Sequence, residues 1–158
     1  MNGIGGRFAL VLLVLALDQA TKLWAASALD YGMPVALLPF FNLTLVHNPG
    51  AAFSFLADAG GWQRLFFIGL STVVSLVLAA WIWRLPRTAR LLGIALVLVL
   101  SGALGNLVDR VAYGYVIDFI DLHAGGWHWP AFNIADSAIT CGVILLLADG
   151  LFGGRTRS

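Results

Sequence analysis

The chain has 158 residues, of which 60% are hydrophobic and 11% charged, with no glutamate, a net charge of +1 and a mean hydropathy of +0.90. A water-soluble domain carries about 25% charged residues, so this composition excludes an ordinary soluble enzyme. It points to a chain dissolved in lipid, whose backbone polar groups must be satisfied within helices or a closed barrel.

Four segments approach the roughly 20 apolar residues that a helix needs to cross a bilayer. The first, about 8–29, is interrupted by Asp18 and Lys22. A cleaved leader is the alternative there, with Arg7 before an apolar Phe8–Leu17 core and Ala26-Ser27-Ala28 as the small-residue site. Asp18, Gln19 and Lys22 fall between that core and that site, so a retained helix is expected. In the loop 30–62 that follows, the β-branched and aromatic run Phe41–Val46 predicts a strand. His47-Asn48-Pro49-Gly50 reads as a turn and Ala51–Phe55 as the returning strand.

The second and third spans, about 65–83 and 91–108, contain no charge. The loop 109–131 then offers a second strand at Tyr113–Ile120, and the last span covers about 132–151. Within it Cys141, the single cysteine, excludes an intrachain disulfide and is expected to be a small buried apolar residue. The tail Gly153–Ser158 reads as a loose end. The expected fold is thus an all-α membrane protein, four transmembrane helices with a small β-platform on one membrane face, in a single domain over residues 1–158.

Charge gives the expected orientation. With four spans, Arg7, Arg84, Arg87, Arg90, Arg155 and Arg157 all fall on one side, which the positive-inside rule makes cytoplasmic. Both termini are then inside, and the loops 30–62 and 109–131 face out.

Two acids stand out, Asp118 and Asp136, because a carboxylate at the edge of hydrocarbon costs several kcal/mol and is first read as functional. If Asn133 caps the fourth span, Asp136 sits at the third helical position, about 5 Å below the helix start. The plain structural reading is a capping box in which Asn133 and Asp136 only satisfy free N–H groups. Asp118 and Asp121, three apart on a strand, must point to opposite faces, so only one can join Asp136. Asp118, in an apolar run, is the choice, while Asp121 beside His123 reads as a solvated strand end.

Two carboxylates within a few Å do not both ionise readily; one serves as general base on a water and the other as proton donor, the chemistry of aspartyl proteases. The helix N-terminus favours the anion at Asp136, leaving the proton on Asp118. Asn106 and Arg110 share a helix face and either support the pair or simply close the third span against its dipole, with Ser101 and Gly105 as a packing contact. Asp18 and Lys22, four residues apart, read as an ion pair snorkelling outward. His47, His123 and His128 lack zinc-ligand spacing, and Gly3-Ile4-Gly5-Gly6 follows no strand and is no nucleotide loop. Rival classes are a proton-coupled transporter, with Asp18, Asp118 and Asp136 as relay acids spread through the membrane, and a lipid-binding scaffold that needs no acid pair.

Five segments occur together in order: Asp18-Gln19-Ala20-Thr21-Lys22, Asn48-Pro49-Gly50-Ala51-Ala52-Phe53-Ser54, Gly105-Asn106-Leu107-Val108-Asp109-Arg110, Val116-Ile117-Asp118-Phe119 and Phe132-Asn133-Ile134-Ala135-Asp136. With them the chain resembles the bacterial lipoprotein signal peptidase family (signal peptidase II, prolipoprotein signal peptidase) over essentially its whole length. The resemblance implies an aspartyl endopeptidase of the bacterial inner membrane with a periplasmic β-cradle. It would cleave a prolipoprotein signal peptide just before a diacylglyceryl-modified cysteine. Asp118 and Asp136 would be the catalytic pair. Asn48, Gly50, Asn106, Asp109, Arg110 and Asn133 would bind substrate or support the pair, and Asp18 with Lys22 would be structural. Globomycin would be an inhibitor of the same cleft; membrane lipid as surroundings, a monomer, no nucleic-acid partner and no metal or organic cofactor are the further expectations.

Overall fold

A computed structural model describes residues 3–50 and 62–152. Among these, four helices are long and apolar enough to cross a membrane: α1 (Ile4–Ala28), α2 (Trp62–Arg84), α3 (Arg90–Ala112) and α4 (Ile134–Phe152). Strands β1 (Val35–Leu38), β2 (Phe41–Asn48), β3 (Val116–Ala124) and β4 (Trp127–His128) form an antiparallel sheet in the order β1-β2-β3-β4. By connectivity the sheet lies at the end of the bundle where α1 and α3 finish and α4 begins. The expected all-α membrane architecture with a small sheet is therefore the one found.

The central helix is α3, which packs against α1, α2 and α4. Its Leu96, Val97 and Leu100 join Val11, Leu78 and Ile82 in a buried apolar cluster. The other helices turn large apolar residues such as Leu13, Leu65, Leu76 and Leu147 outward. In water such a surface would be a gross aggregation hazard, whereas lipid is its natural solvent. Cys141 belongs to that outward surface, so the expectation of a buried thiol is overturned.

Close approach of α3 and α4 depends on glycine. A Cβ at Gly102 would collide with the Ala135 carbonyl, and one at Gly142 would come within 2.6 Å of Val99 Cγ2. Small residues at such contacts let helix backbones come near enough for dispersion to act along the whole interface. The contact fixes the start of α4, the turn that bears Asp136.

Arginines close two helix ends, because the last carbonyls of a helix need donors and its dipole favours a cation there. Arg7 gives hydrogen bonds at 2.8 Å to both the Leu85 and Pro86 carbonyls beyond α2. Arg64 gives bonds at 3.1 Å to the Arg110 and Val111 carbonyls at the end of α3. Arg7 thus lies inside α1 and is buried, a correction to its expected place ahead of the first span. Likewise α3 runs past the expected span end at 108 to Ala112, with Asp109 and Arg110 in its last turns and Asn106 and Arg110 on the one helix, as expected.

The strands also depart from expectation in detail. Because α3 continues to Ala112 and Gly114 follows at φ +88°, β3 begins at Val116 instead of Tyr113. His47 and Asn48, expected in a turn, continue β2 opposite Ile117 and Val116. β1 and β4 were not anticipated; β4 returns through Gly125 and Gly126, both at positive φ (57° and 83°), as a two-residue hairpin of primed type requires. The returning strand expected at Ala51–Phe55 and the tail Gly153–Ser158 lie outside the described residues.

Candidate active site

One irregularity in the sheet aims the acidic side chains. In β2 the residues Leu43 and Val46 pair with Ile120 and Asp118, so three steps on one strand oppose two on the other, the signature of a bulge. Asn42 and Asn48 would share a face of an unbroken strand. With the bulge they serve opposite faces of β3: Asn42 gives its amide hydrogen to Asp121 at 2.8 Å and Asn48 to Asp118 at 3.0 Å. Asp121 is thereby buried, with His128 Nδ1 at 2.8 Å, and is no solvated strand end. Burial works against its charge, but the Asn42 amide and the His128 ring outweigh burial and hold its carboxyl below the ordinary range.

Asp136 arrives from α4. Its backbone N–H donates to Asn133 Oδ1 at 3.0 Å while its carboxylate Oδ2 accepts the Asn133 N–H at 3.3 Å. This is the reciprocal capping box of the plain structural reading. That reading is incomplete, because Asn133 also gives its side-chain amide to Asp118 Oδ1 at 2.7 Å. One asparagine therefore caps the helix and touches both acids. Asn106 adds a second donor to Asp136, Nδ2 to Oδ1 at 2.8 Å.

Asp118 is only 2% exposed. Desolvation first, and the nearby Asp136 carboxylate second, push its carboxyl from 3.8 up to about 7, against the opposing amides of Asn48 and Asn133. Asp118 therefore carries a proton through mildly acidic pH.

Beneath the pair lies a buried charge network. Lys22 Nζ meets Asp18 Oδ2 at 2.9 Å, Asp109 Oδ2 at 2.9 Å and Asn106 Oδ1 at 3.0 Å. An ammonium has three donors and no acceptor, so these three partners saturate it. Lys22 accordingly points inward at 1% exposure and does not snorkel. Asp18 Oδ1 accepts the Ala135 N–H at 2.8 Å, tying α1 to the first turn of α4. That hydrogen bond places Asp18 level with Asp136 rather than at a different depth. Asp109 also takes the Ile117 N–H at 3.1 Å, one residue before Asp118.

Gly105 sits where a Cβ would strike Asp18 Oδ2, so this glycine makes room for the network as well as for packing. Gln19 bonds Asp109 Oδ1 at 2.9 Å and was given no role from sequence. Its neighbour Asp18 signals a polar helix face, but its partner lies 90 residues away. Arg110 reaches the Gly50 carbonyl at 3.0 Å and lies over the Phe67 ring at 5.3 Å, while the Gly50 N–H donates to Asn48 at 3.0 Å. Among the sequence-derived site residues, Asn48, Asn106, Asp118, Asn133 and Asp136 come together directly; Gly50, Asp109 and Arg110 join through one further contact.

Two cavities meet at this place. One of about 550 Å³ is lined by Asn48, Leu122, Trp129, Phe132, Asp136, Ile139 and Cys141, among others. The other, about 260 Å³, is lined by Asn48, Phe67, Asn106, Arg110, Val116, Asp136 and Ile139, among others. Asp136, Asn48 and Ile139 form the wall between them. An extended chain passing Asp136 would have room on both sides.

The profile of a family described as signal peptidase (SPase) II matches residues 10–152. The lipoprotein signal peptidase of Acinetobacter baylyi is 54% identical over 148 residues, covering 94% of this chain and 83% of the relative. That of Burkholderia mallei is 53% identical over 140 residues, covering 89% and 84%. Two solved structures described as bacterial membrane enzymes, determined by the in meso method, superpose with TM-scores of 0.86 and 0.81. They are 33% and 34% identical, and the matches cover 98% and 94% of this chain and 92% and 94% of theirs.

Proposed function

The chain belongs to the signal peptidase II family, and on that premise we propose that it is an aspartyl endopeptidase acting on diacylglyceryl-modified prolipoproteins, with Asp118 and Asp136 as its catalytic pair. The observation that carries the reading is Asn133, which caps α4 at Asp136 and donates to Asp118 in the same stroke. Asp136 as carboxylate takes a proton from a water, whose oxygen attacks the scissile carbonyl. Asp118 gives its proton to that carbonyl oxygen. As the tetrahedral intermediate collapses, the C–N bond breaks, the amine leaves with the proton held by Asp136, and Asp118 takes its proton back from a hydroxyl of the diol, which becomes the new carboxyl group.

Position suits the substrate. A lipid-anchored cysteine stays in the plane of the membrane, so carboxylates at the sheet end of the bundle meet the bond beside it. The two cavities flanking Asp136 accept the chain on either side of that bond, with apolar Leu122, Phe132 and Ile139 suited to the acyl-bearing part. Arg110 Nε, buried and without a hydrogen-bond partner among the described residues, is available to a substrate oxygen. Asn48, Gly50, Asn106 and Asn133 position the pair, and globomycin would compete for the same cleft. Arg84, Arg87 and Arg90 support an inner-membrane orientation with both termini cytoplasmic and the pair on the periplasmic side. The depth shared by Asp18 and Asp136 speaks against a relay across the bilayer.

The test is product mapping. The full chain in lipid vesicles is incubated with a prolipoprotein carrying diacylglyceryl cysteine, and with the same precursor unmodified. A single cut immediately before the lipidated cysteine, and none in the unmodified precursor, is expected. Cleavage elsewhere, or equal cleavage of both precursors, would overturn the assignment.

A further inference from the structure

We infer that Lys22 is a positioning residue that decides which aspartate carries the proton: acting through Asn106, it holds Asp136 as the carboxylate and leaves the proton on Asp118. This inference rests on the acid-pair reading above. Its basis is the direction in which each amide must face.

Lys22 can only donate, so the Asn106 atom 3.0 Å from Nζ has to be the amide oxygen. The Asn106 NH₂ is thereby turned towards Asp136, 2.8 Å from Oδ1. A backbone N–H, which has no alternative orientation, faces the other oxygen from Asn133. Both Asp136 oxygens are met by obligate donors, and one of those donors is polarised by a full positive charge.

Asp118 also receives two amide donors, but their far ends lead elsewhere. The Asn48 oxygen takes the Gly50 N–H and the Asn133 oxygen takes the Asp136 N–H, both neutral backbone groups. Among the described residues each acid meets two side-chain or backbone donors, and although the Lys22 charge is felt at both acids, it stands directly behind a donating amide at Asp136. An amide between an ammonium and a carboxylate transmits polarisation in one direction only, and in a low-dielectric site that difference is large.

The surrounding charges do not cancel it. Facing the pair from α1 and α3 are Asp18, Lys22, Asp109 and Arg110, two anions and two cations. Asp18 and Asp109 spend their remaining capacity on the Ala135 and Ile117 N–H groups and on Gln19. Arg110 donates to the Asn106 backbone carbonyl at 3.2 Å, and Lys22 is the member of that set that donates to the Asn106 side-chain oxygen.

Infrared absorption of protonated carboxyl groups tests this in the full chain reconstituted in lipid at about pH 6, between the ordinary carboxyl range and that of Asp118. The wild type is expected to show a buried-carboxyl band that Asp118→Asn abolishes and Asp136→Asn retains. On the Asp118→Asn background, adding Lys22→Met or Asn106→Leu should restore a protonated carboxyl, now on Asp136. Lys22→Met strips Asp18 and Asp109 of their ammonium, so Asn106→Leu, which leaves those ion pairs in place, is the variant that guards against a folding defect. A purely structural role for Lys22 would lower helix content or the melting temperature without bringing the band back. Persistence of the band in Asp118→Asn alone, or its absence from the folded Asn106→Leu double variant, would overturn the inference. No substrate is cleaved in this measurement, so its outcome is separate from that of the product-mapping test.

Discussion

A carboxyl held at about 7 inside the fold, against 3.8 for an ordinary aspartate, makes Asp118 a sensor of pH as well as a candidate acid. Between about pH 4 and about pH 7 the folded chain keeps a proton that the unfolded chain has released, so raising the pH through that window favours unfolding. At about 1.4 kcal/mol per pH unit, the ceiling on this effect is about 4 kcal/mol. The melting temperature of the wild type should therefore fall across the window, and thermal scans of Asp118→Asn should lose that slope. Catalysis that needs a protonated Asp118 should fade as pH rises through about 7, a limb that pH–rate profiles of cleavage would reveal. By contrast, His128 is 53% exposed, so its pair with Asp121 is heavily screened by solvent. His128→Ala should cost under about 1 kcal/mol in thermal scans. Both aspartates of the proposed pair stood out in the sequence because an acid beside hydrocarbon needs a reason. The inward turn of Lys22 was not, since its partner Asn106 lies 84 residues away and only the fold brings them together.

At the level of elements, the decisive contact is α3 against α4, and it is glycine-dependent. Gly102→Ala would drive a methyl into the Ala135 carbonyl, one residue from Asp136, and within 2.7 Å of Ile139. An expected loss of about 1–3 kcal/mol in thermal stability, with a parallel fall in cleavage rate, distinguishes this site from Gly69→Ala. Gly69 has nothing within 4 Å of an added Cβ and should be neutral. The four spans were readable to within a few residues from apolar length alone. The sheet was half readable: the β-branched run of β2 announces itself, whereas β1 is exposed at all four positions and offers no alternation. β4 is two residues long, too short for any periodic signal. The bulge in β2, on which the aim of Asn48 depends, left no mark in the sequence.

For the whole molecule, the sheet end of the bundle and the Leu85–Ala89 link lie at opposite ends by connectivity. With Cys141→Ser as background, a cysteine placed at Gly125 should react with an impermeant maleimide applied to spheroplasts. One placed at Thr88 should react only after the membrane is opened. The reverse pattern would invert the proposed orientation. The family was legible before the fold because five polar segments occur in order on an apolar chain. The network joining Asp18, Lys22 and Asp109 to the pair was not, because it exists only once α1, α3 and α4 are packed together.

The most direct test of the claim that Asp118 and Asp136 act as one catalytic pair is single-turnover cleavage of diacylglyceryl prolipoprotein by the wild type, Asp118→Asn, Asp136→Asn and the double variant. Each single variant is expected to lose roughly 10²–10⁴-fold in rate, and the double variant to be little worse than either single one, as residues that act as a unit behave. Cleavage within a few-fold of wild type by either single variant, with both folded in lipid, would contradict it.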